Sequence, residues 1–133
     1  MNTNIFEILL VEDDSGDAEL LYELLEQVPN MQFDVTHVTR LAEASEQTEL
    51  EPYDVILLDL ALPDSQGMDT IRTMVNAAPT IPIVVLTGNN DEETGLAALR
   101  NGAQDYLVKG QVDSGAVTRA MRFAIQRHNE PSS

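Results

Sequence analysis

Apolar residues fall in short runs along the chain, separated by segments whose apolar positions recur every three or four residues. The runs at 5–11, 55–58, 81–86 and 106–108, with a weaker alternating run at 33–38, predict five strands. The second of these, Val-Ile-Leu-Leu at 55–58, is apolar at every position, as in a strand buried on both faces. Helical spacing follows each run. It reads Leu21, Leu24, Leu25 and Val28 after a Ser15-Gly16-Asp17 start, then Met68, Ile71 and Val75 in the third helix. Leu96 and Leu99 mark the fourth, closed by Asn101-Gly102 as a C-cap. Val117, Ala120, Met121 and Ala124 mark the fifth, with Asp113 as its N-cap and Val112 with Val117 as a hydrophobic staple. The segment 41–50 carries the thinnest stripe and is the weakest of the helices.

Strand and helix thus alternate five times, which argues for a parallel sheet with helices on both faces. Right-handed crossovers narrow this to an open doubly wound sheet, and five units are too few for an eight-fold barrel. No linker, repeat or low-complexity tract interrupts the pattern. One domain over 1–128 is expected, followed by a short polar tail at 129–133 that is either a plain terminus or the start of a linker.

Composition supports a globular domain. The chain has 133 residues, 43% of them hydrophobic, and no cysteine, so neither disulfides nor a thiolate metal site contributes. No stretch approaches the roughly 18 apolar residues that span a bilayer, and the N-terminus lacks the basic start of a signal peptide. A soluble, cytoplasmic protein is expected. Twenty-three acidic against seven basic residues give a net charge of −16. That charge argues against sequence-unspecific binding to nucleic acid or an anionic membrane, and is compatible with a high-salt host. Five of the seven bases (Arg100, Lys109, Arg119, Arg122, Arg127) lie after residue 99, and Lys109 is the only lysine.

In such sheets, ligands bind beyond the carboxyl ends of the strands. Strand one ends in Glu12-Asp13-Asp14, strand three in Asp59, strand four in Thr87-Gly88 and strand five in Lys109-Gly110. Taken singly, each has an ordinary reading: a helix cap, a loop aspartate, a strand threonine, a solvated lysine. Their coincidence at one end of successive strands favours a site. Two like charges ~4 Å apart repel by about 4 kcal/mol at an effective dielectric near 20, so Asp13, Asp14 and Asp59 need a cation to stay ionised together. A hard divalent ion with oxygen ligands fits, Mg2+ above all. The lysine and threonine would then hold an anion beside the metal, and Gly88 would let it approach the backbone. This combination suits phosphoryl transfer.

The segments VEDD, VILLDLALPDSQG, VVLTG and DYLVKG, in this order and spacing, resemble the receiver domain of two-component response regulators. The resemblance runs from Ile5 to about Arg127 and implies a flavodoxin-like sheet of order 2-1-3-4-5. It further implies that Asp59 accepts a phosphoryl group from a histidine kinase or phosphotransfer protein. Asp14, Asp59 and the main-chain carbonyl of Ala61 would ligate Mg2+ (Mn2+ as a substitute), with Asp13 acting through a metal-bound water. Lys109 and Thr87 would contact the phosphoryl group. The same resemblance makes Thr87 and Tyr106 a switch that reshapes the surface of the fourth helix, fifth strand and fifth helix for an output partner. The late arginines suit that surface or are a solvated helix flank. On this reading the chain is not an enzyme, beyond assisting its own phosphorylation and slow dephosphorylation, and its output runs through protein–protein contact.

Two positions depart from the family pattern. Gly110 stands where proline often follows the lysine. Ala61, small and apolar, borders the path of an attacking water, and with Asn89 leaves the dephosphorylation rate open. Three alternatives remain on sequence alone. A haloacid-dehalogenase-type phosphohydrolase would want an aspartate where Ala61 stands. A degenerate receiver would only bind partners. The YLVKG motif also resembles receivers that form one part of a sensor kinase or other signalling protein.

Overall fold

In the computed structural model of the chain, residues 5–29, 31–88 and 92–129 are described. Asn89 and residues 130–133 of the expected tail lie outside them. Five strands form one parallel sheet: β1 (Ile5–Val11), β2 (Gln32–Val38), β3 (Val55–Asp59), β4 (Ile83–Thr87) and β5 (Asp105–Val108). They lie in the order β2-β1-β3-β4-β5, the expected 2-1-3-4-5 arrangement. The helices between and after them are α1 (Ser15–Glu26), α2 (Leu41–Leu50), α3 (Met68–Ala77), α4 (Glu92–Arg100) and α5 (Ser114–Asn129). β4 begins two residues later than its apolar run. Pro82 has no amide for the ladder, although its carbonyl still accepts from Ile56 N at 2.9 Å.

The period of two within β1 and β3 divides the core. Leu9, Val11, Ile56 and Leu58 face one way and pack with Leu41 and Ala44 of α2 and Ile71 and Met74 of α3. Ile8, Leu10, Val55 and Leu57 face the other way, against Leu21 and Leu25 of α1 and Val117 and Met121 of α5. Every residue of β3 and β4 is buried, which is why these strands read as unbroken apolar runs. Among the described residues, no helix is long and apolar enough to cross a membrane.

The caps follow the sequence in part. Asp113 Oδ1 accepts from Ala116 N at 2.7 Å at the start of α5, as expected. The thin stripe of α2 is borne out, since only Leu41 and Ala44 are buried and Leu50 is exposed. Its first turn is capped from a distance instead. Asp64 accepts from Leu41 N at 2.8 Å and from Ala42 N at 3.0 Å. Partial burial works against the charge of Asp64, but these amide donors outweigh it and hold the carboxyl below its ordinary value. Asp64 sits at the tip of a small antiparallel ribbon, Ala61–Leu62 against Ser65–Gln66, that begins just after Asp59 and Leu60. The loop after β3 is therefore fastened to α2.

Candidate phosphoacceptor site

The sheet register decides which residues meet. Val11 of β1 pairs with Leu58 of β3, so Glu12 and Asp59, each the next residue along, come level at the carboxyl rim. Thr87 pairs with Val108, so Lys109 stands one residue beyond Thr87. The ladder carries that far, because Lys109 N donates to Thr87 O at 2.8 Å. Glu12, Asp59 and Thr87 are buried to within 5% of full burial. Gly110 then turns the chain with φ 82°, a left-handed conformation that glycine adopts freely, which accounts for glycine where the family often has proline.

Lys109 organises the rim. Its Nζ lies 2.6 Å from Glu12 Oε2, 2.9 Å from Asp59 Oδ2 and 3.1 Å from Asp17 Oδ2. Burial works against its charge, yet the bonds to Glu12, Asp59 and Asp17 outweigh this and raise its pKa above the usual lysine value. Carboxylate oxygens of Glu12, Asp13 and Asp59 lie within 4.8 Å of one another. Burial and the neighbouring Asp59 push the Glu12 carboxyl up to about 7, against the opposing pull of Lys109. Negative charge is thus in excess of what one ammonium balances. Glu12 Oε1 accepts from Asp14 N at 3.1 Å, whereas buried Oε2 has its ion pair with Lys109 but no hydrogen bond of good geometry. Three clustered oxygen donors, two of them buried, suit a hard divalent cation such as Mg2+.

This acidic group differs from the one expected. Asp14, anticipated as a direct metal ligand, is exposed and N-caps α1, its Oδ1 accepting from Asp17 N at 3.0 Å. The place it was given in the cluster is held by Glu12. Asp13 and Asp59 are both in the cluster. Ala61 stands against Asp59, its amide donating to Asp59 Oδ1 at 3.1 Å. Thr87 is on the same rim. Tyr106 lies farther down β5, half-buried beside the core, with its ring against Gly95 of α4. Sequence reasoning missed Glu12 and Asp17 as partners of Lys109. For Glu12 a signal existed: Asp59, Thr87 and Lys109 each follow the last apolar residue of a strand immediately, and on β1 that position is Glu12.

Residues 8–121 match the response regulator receiver domain family. The chain is 35% identical over 102 residues to the cell cycle transcriptional regulator CtrA of Caulobacter vibrioides and 41% identical over 102 residues to the transcriptional regulatory protein CitB of Klebsiella pneumoniae. These matches cover 77% and 76% of the chain but only 43% of either relative, so the chain spans less than half their length. Among solved structures, it resembles the receiver domain of a sensor histidine kinase from Pseudomonas aeruginosa, determined with a magnesium ion coordinated in its active-site cleft. That likeness has a TM-score of 0.74 at 28% identity, covering 91% of this chain and 98% of the other. From the five-stranded sheet, the acidic rim and these similarities together, the chain belongs to the response regulator receiver domain family of two-component signalling.

Proposed function

We propose that this receiver takes a phosphoryl group on Asp59 and uses the new charge to alter the surface formed by α4, β5 and α5. The observation that carries this reading is the bond from Lys109 Nζ to Asp59 Oδ2 at 2.9 Å, inside a rim where Glu12 and Asp13 crowd the same carboxylate. A buried aspartate placed so has one oxygen beside a cation and a second beside the Ala61 amide. Attack by an Asp59 oxygen forms an O–P bond. The N–P bond of a phosphohistidine, or the O–P bond of a small acyl phosphate, breaks, and the leaving group takes the electron pair. Lys109 balances charge on the transferred oxygens, and the Thr87 hydroxyl donates to one of them. Glu12, Asp13 and Asp59, with the Ala61 carbonyl, are the residues that would hold Mg2+ (or Mn2+), which when bound neutralises phosphoryl oxygens.

Tyr106 and Thr87 form the proposed relay to the output surface, where Leu96 and Phe123 are exposed. A histidine kinase or phosphotransfer protein is the donor, in the cytoplasm, and a partner protein reads the surface. Incubation with acetyl phosphate and MgCl2 tests the reading by intact mass. The wild-type chain gains one phosphoryl group, while Asp59→Asn, or wild type with EDTA, gains none. A wild-type chain that gains nothing at any magnesium concentration would instead be a receiver that only binds partners.

A further inference from the structure

At the end of β2, next to the acidic rim, a histidine side chain completes a backbone ladder. His37 pairs with Leu10 in the β1–β2 register, and Val38 with Val11. One step further, Glu12 N donates to Val38 O at 3.0 Å. There β2 ends, and the next amide, that of Thr39, donates to Glu43 Oε1 at 3.1 Å. The Glu12 carbonyl oxygen lies 2.6 Å from His37 Nε2. A carbonyl only accepts, so the Nε2 of His37 carries the proton. Tyr22 of α1 meets the ring edge to face, with centroids 6.5 Å apart and planes at 78°.

The position of this bond matters more than its strength. The carbonyl of Glu12 and the amide nitrogen of Asp13 belong to one planar peptide unit, which rotates as a whole. The side chain before that plane, Glu12, and the side chain after it, Asp13, both belong to the carboxylate cluster. β2 fixes the plane's approach through the Val38 bond to Glu12 N, and His37 fixes its rotation through the bond to Glu12 O. The other bonds of this turn, from Asp14 N to Glu12 Oε1 and from Asp17 N to Asp14 Oδ1, end on side chains, so the bond from His37 is the one that acts on the Glu12 carbonyl itself. We propose that His37 is a positioning residue for the cation site: its Nε2–H orients the Glu12–Asp13 peptide so that both carboxylates point to one ion. The inference rests on the reading of the rim as a magnesium site.

The test is a calorimetric titration of the folded chain with MgCl2 at one pH, for wild type, His37→Phe and His37→Gln. Phenylalanine keeps a ring against Tyr22 but has no donor. The amide nitrogen of glutamine reaches roughly where Nε2 stands and can donate. Partners that orient metal-ligating groups typically change affinity roughly 10–100-fold when removed, so the Phe variant should bind Mg2+ about tenfold more weakly and the Gln variant within about twofold of wild type. Equal affinity in the Phe variant overturns the proposal, as does an equal loss in both variants. Wild type that binds no Mg2+ overturns the magnesium reading itself, and the proposal with it. Should the Phe variant not fold, nitrogen NMR of wild type decides: a proton on Nε2 of His37 supports the role, and a proton confined to Nδ1 overturns it.

Discussion

Asp14 is the N-cap of α1, and a carboxylate turned toward a helix's first turn is not free to join others at the rim. Three residues of one acidic run therefore divide between two tasks: Glu12 and Asp13 supply charge to the cluster, and Asp14 starts a helix. The two tasks separate by substitution. Asp14→Ala should cost about 1 kcal/mol in a urea melt, through loss of the cap, and leave the Mg2+ dissociation constant unchanged. Asp13→Asn should leave the melt nearly unchanged and weaken Mg2+ on the order of tenfold or more, since a neutral amide replaces a charged oxygen ligand. An Asp14→Ala variant that loses Mg2+ would return Asp14 to the ligand set. Asp59, Thr87 and Lys109 were legible from the sequence because each ends an apolar run. Glu12 obeys the same rule but is hidden by the two aspartates that follow it. Asp17 was not legible, because its approach to Lys109 depends on how α1 leans over the rim.

At the scale of elements, α4 and β5 meet through one side chain and one missing side chain. The ring of Tyr106 lies where a Cβ on Gly95 would stand, so the helix can lie close to β5 only with glycine there. Glycine inside a helix normally costs about 1 kcal/mol relative to alanine, and this glycine is tolerated for the ring. Gly95→Ala should drive the Tyr106 ring outward, visible as a change in its NMR ring signals, and should not deliver the usual gain of about 1 kcal/mol. Unchanged Tyr106 signals together with that gain would show that the ring does not depend on Gly95. The five strands and five helices were legible in order because each carries its own periodicity. The restraint on α2 was not, because its cap comes from Asp64, across the ribbon that follows Asp59. Local sequence around α2 shows only a thin stripe and an arginine, Arg40, at the N-cap position.

Over the whole molecule, excess negative charge is general, with a net charge of −16, and at the rim it includes buried Glu12 close to Asp59. Without metal, the folded chain holds the Glu12 proton more tightly than the unfolded chain does, with a pKa raised from 4.5 to about 7. Glu12 therefore contributes its full stability below about 4.5, and that contribution is lost as pH rises through about 7. Glu7 adds to the trend, its carboxyl pushed up by partial burial and then by Asp34. In metal-free buffer, the urea midpoint of wild type relative to Glu12→Gln should fall between pH 5 and about 7.5. MgCl2 at the upper end should raise the wild-type midpoint, because a ligand that binds only the folded state stabilises it. A relative midpoint that rises over this window would contradict the placement of Glu12. The overall sheet was legible from alternation alone, whereas the pairing of charges across it depends on register, which a single strand's sequence does not state.

The proposed acceptor, Asp59, is one carboxylate among several at this rim. The acceptor is identified by phosphorylating the wild-type chain with acetyl phosphate and MgCl2, reducing the acyl phosphate with borohydride, and mapping the product by peptide mass spectrometry. Reduction converts a phosphorylated aspartate to homoserine and leaves free carboxylates untouched. Homoserine is expected at position 59 alone, and homoserine at 13, 14 or 17, or at no position, would contradict that assignment.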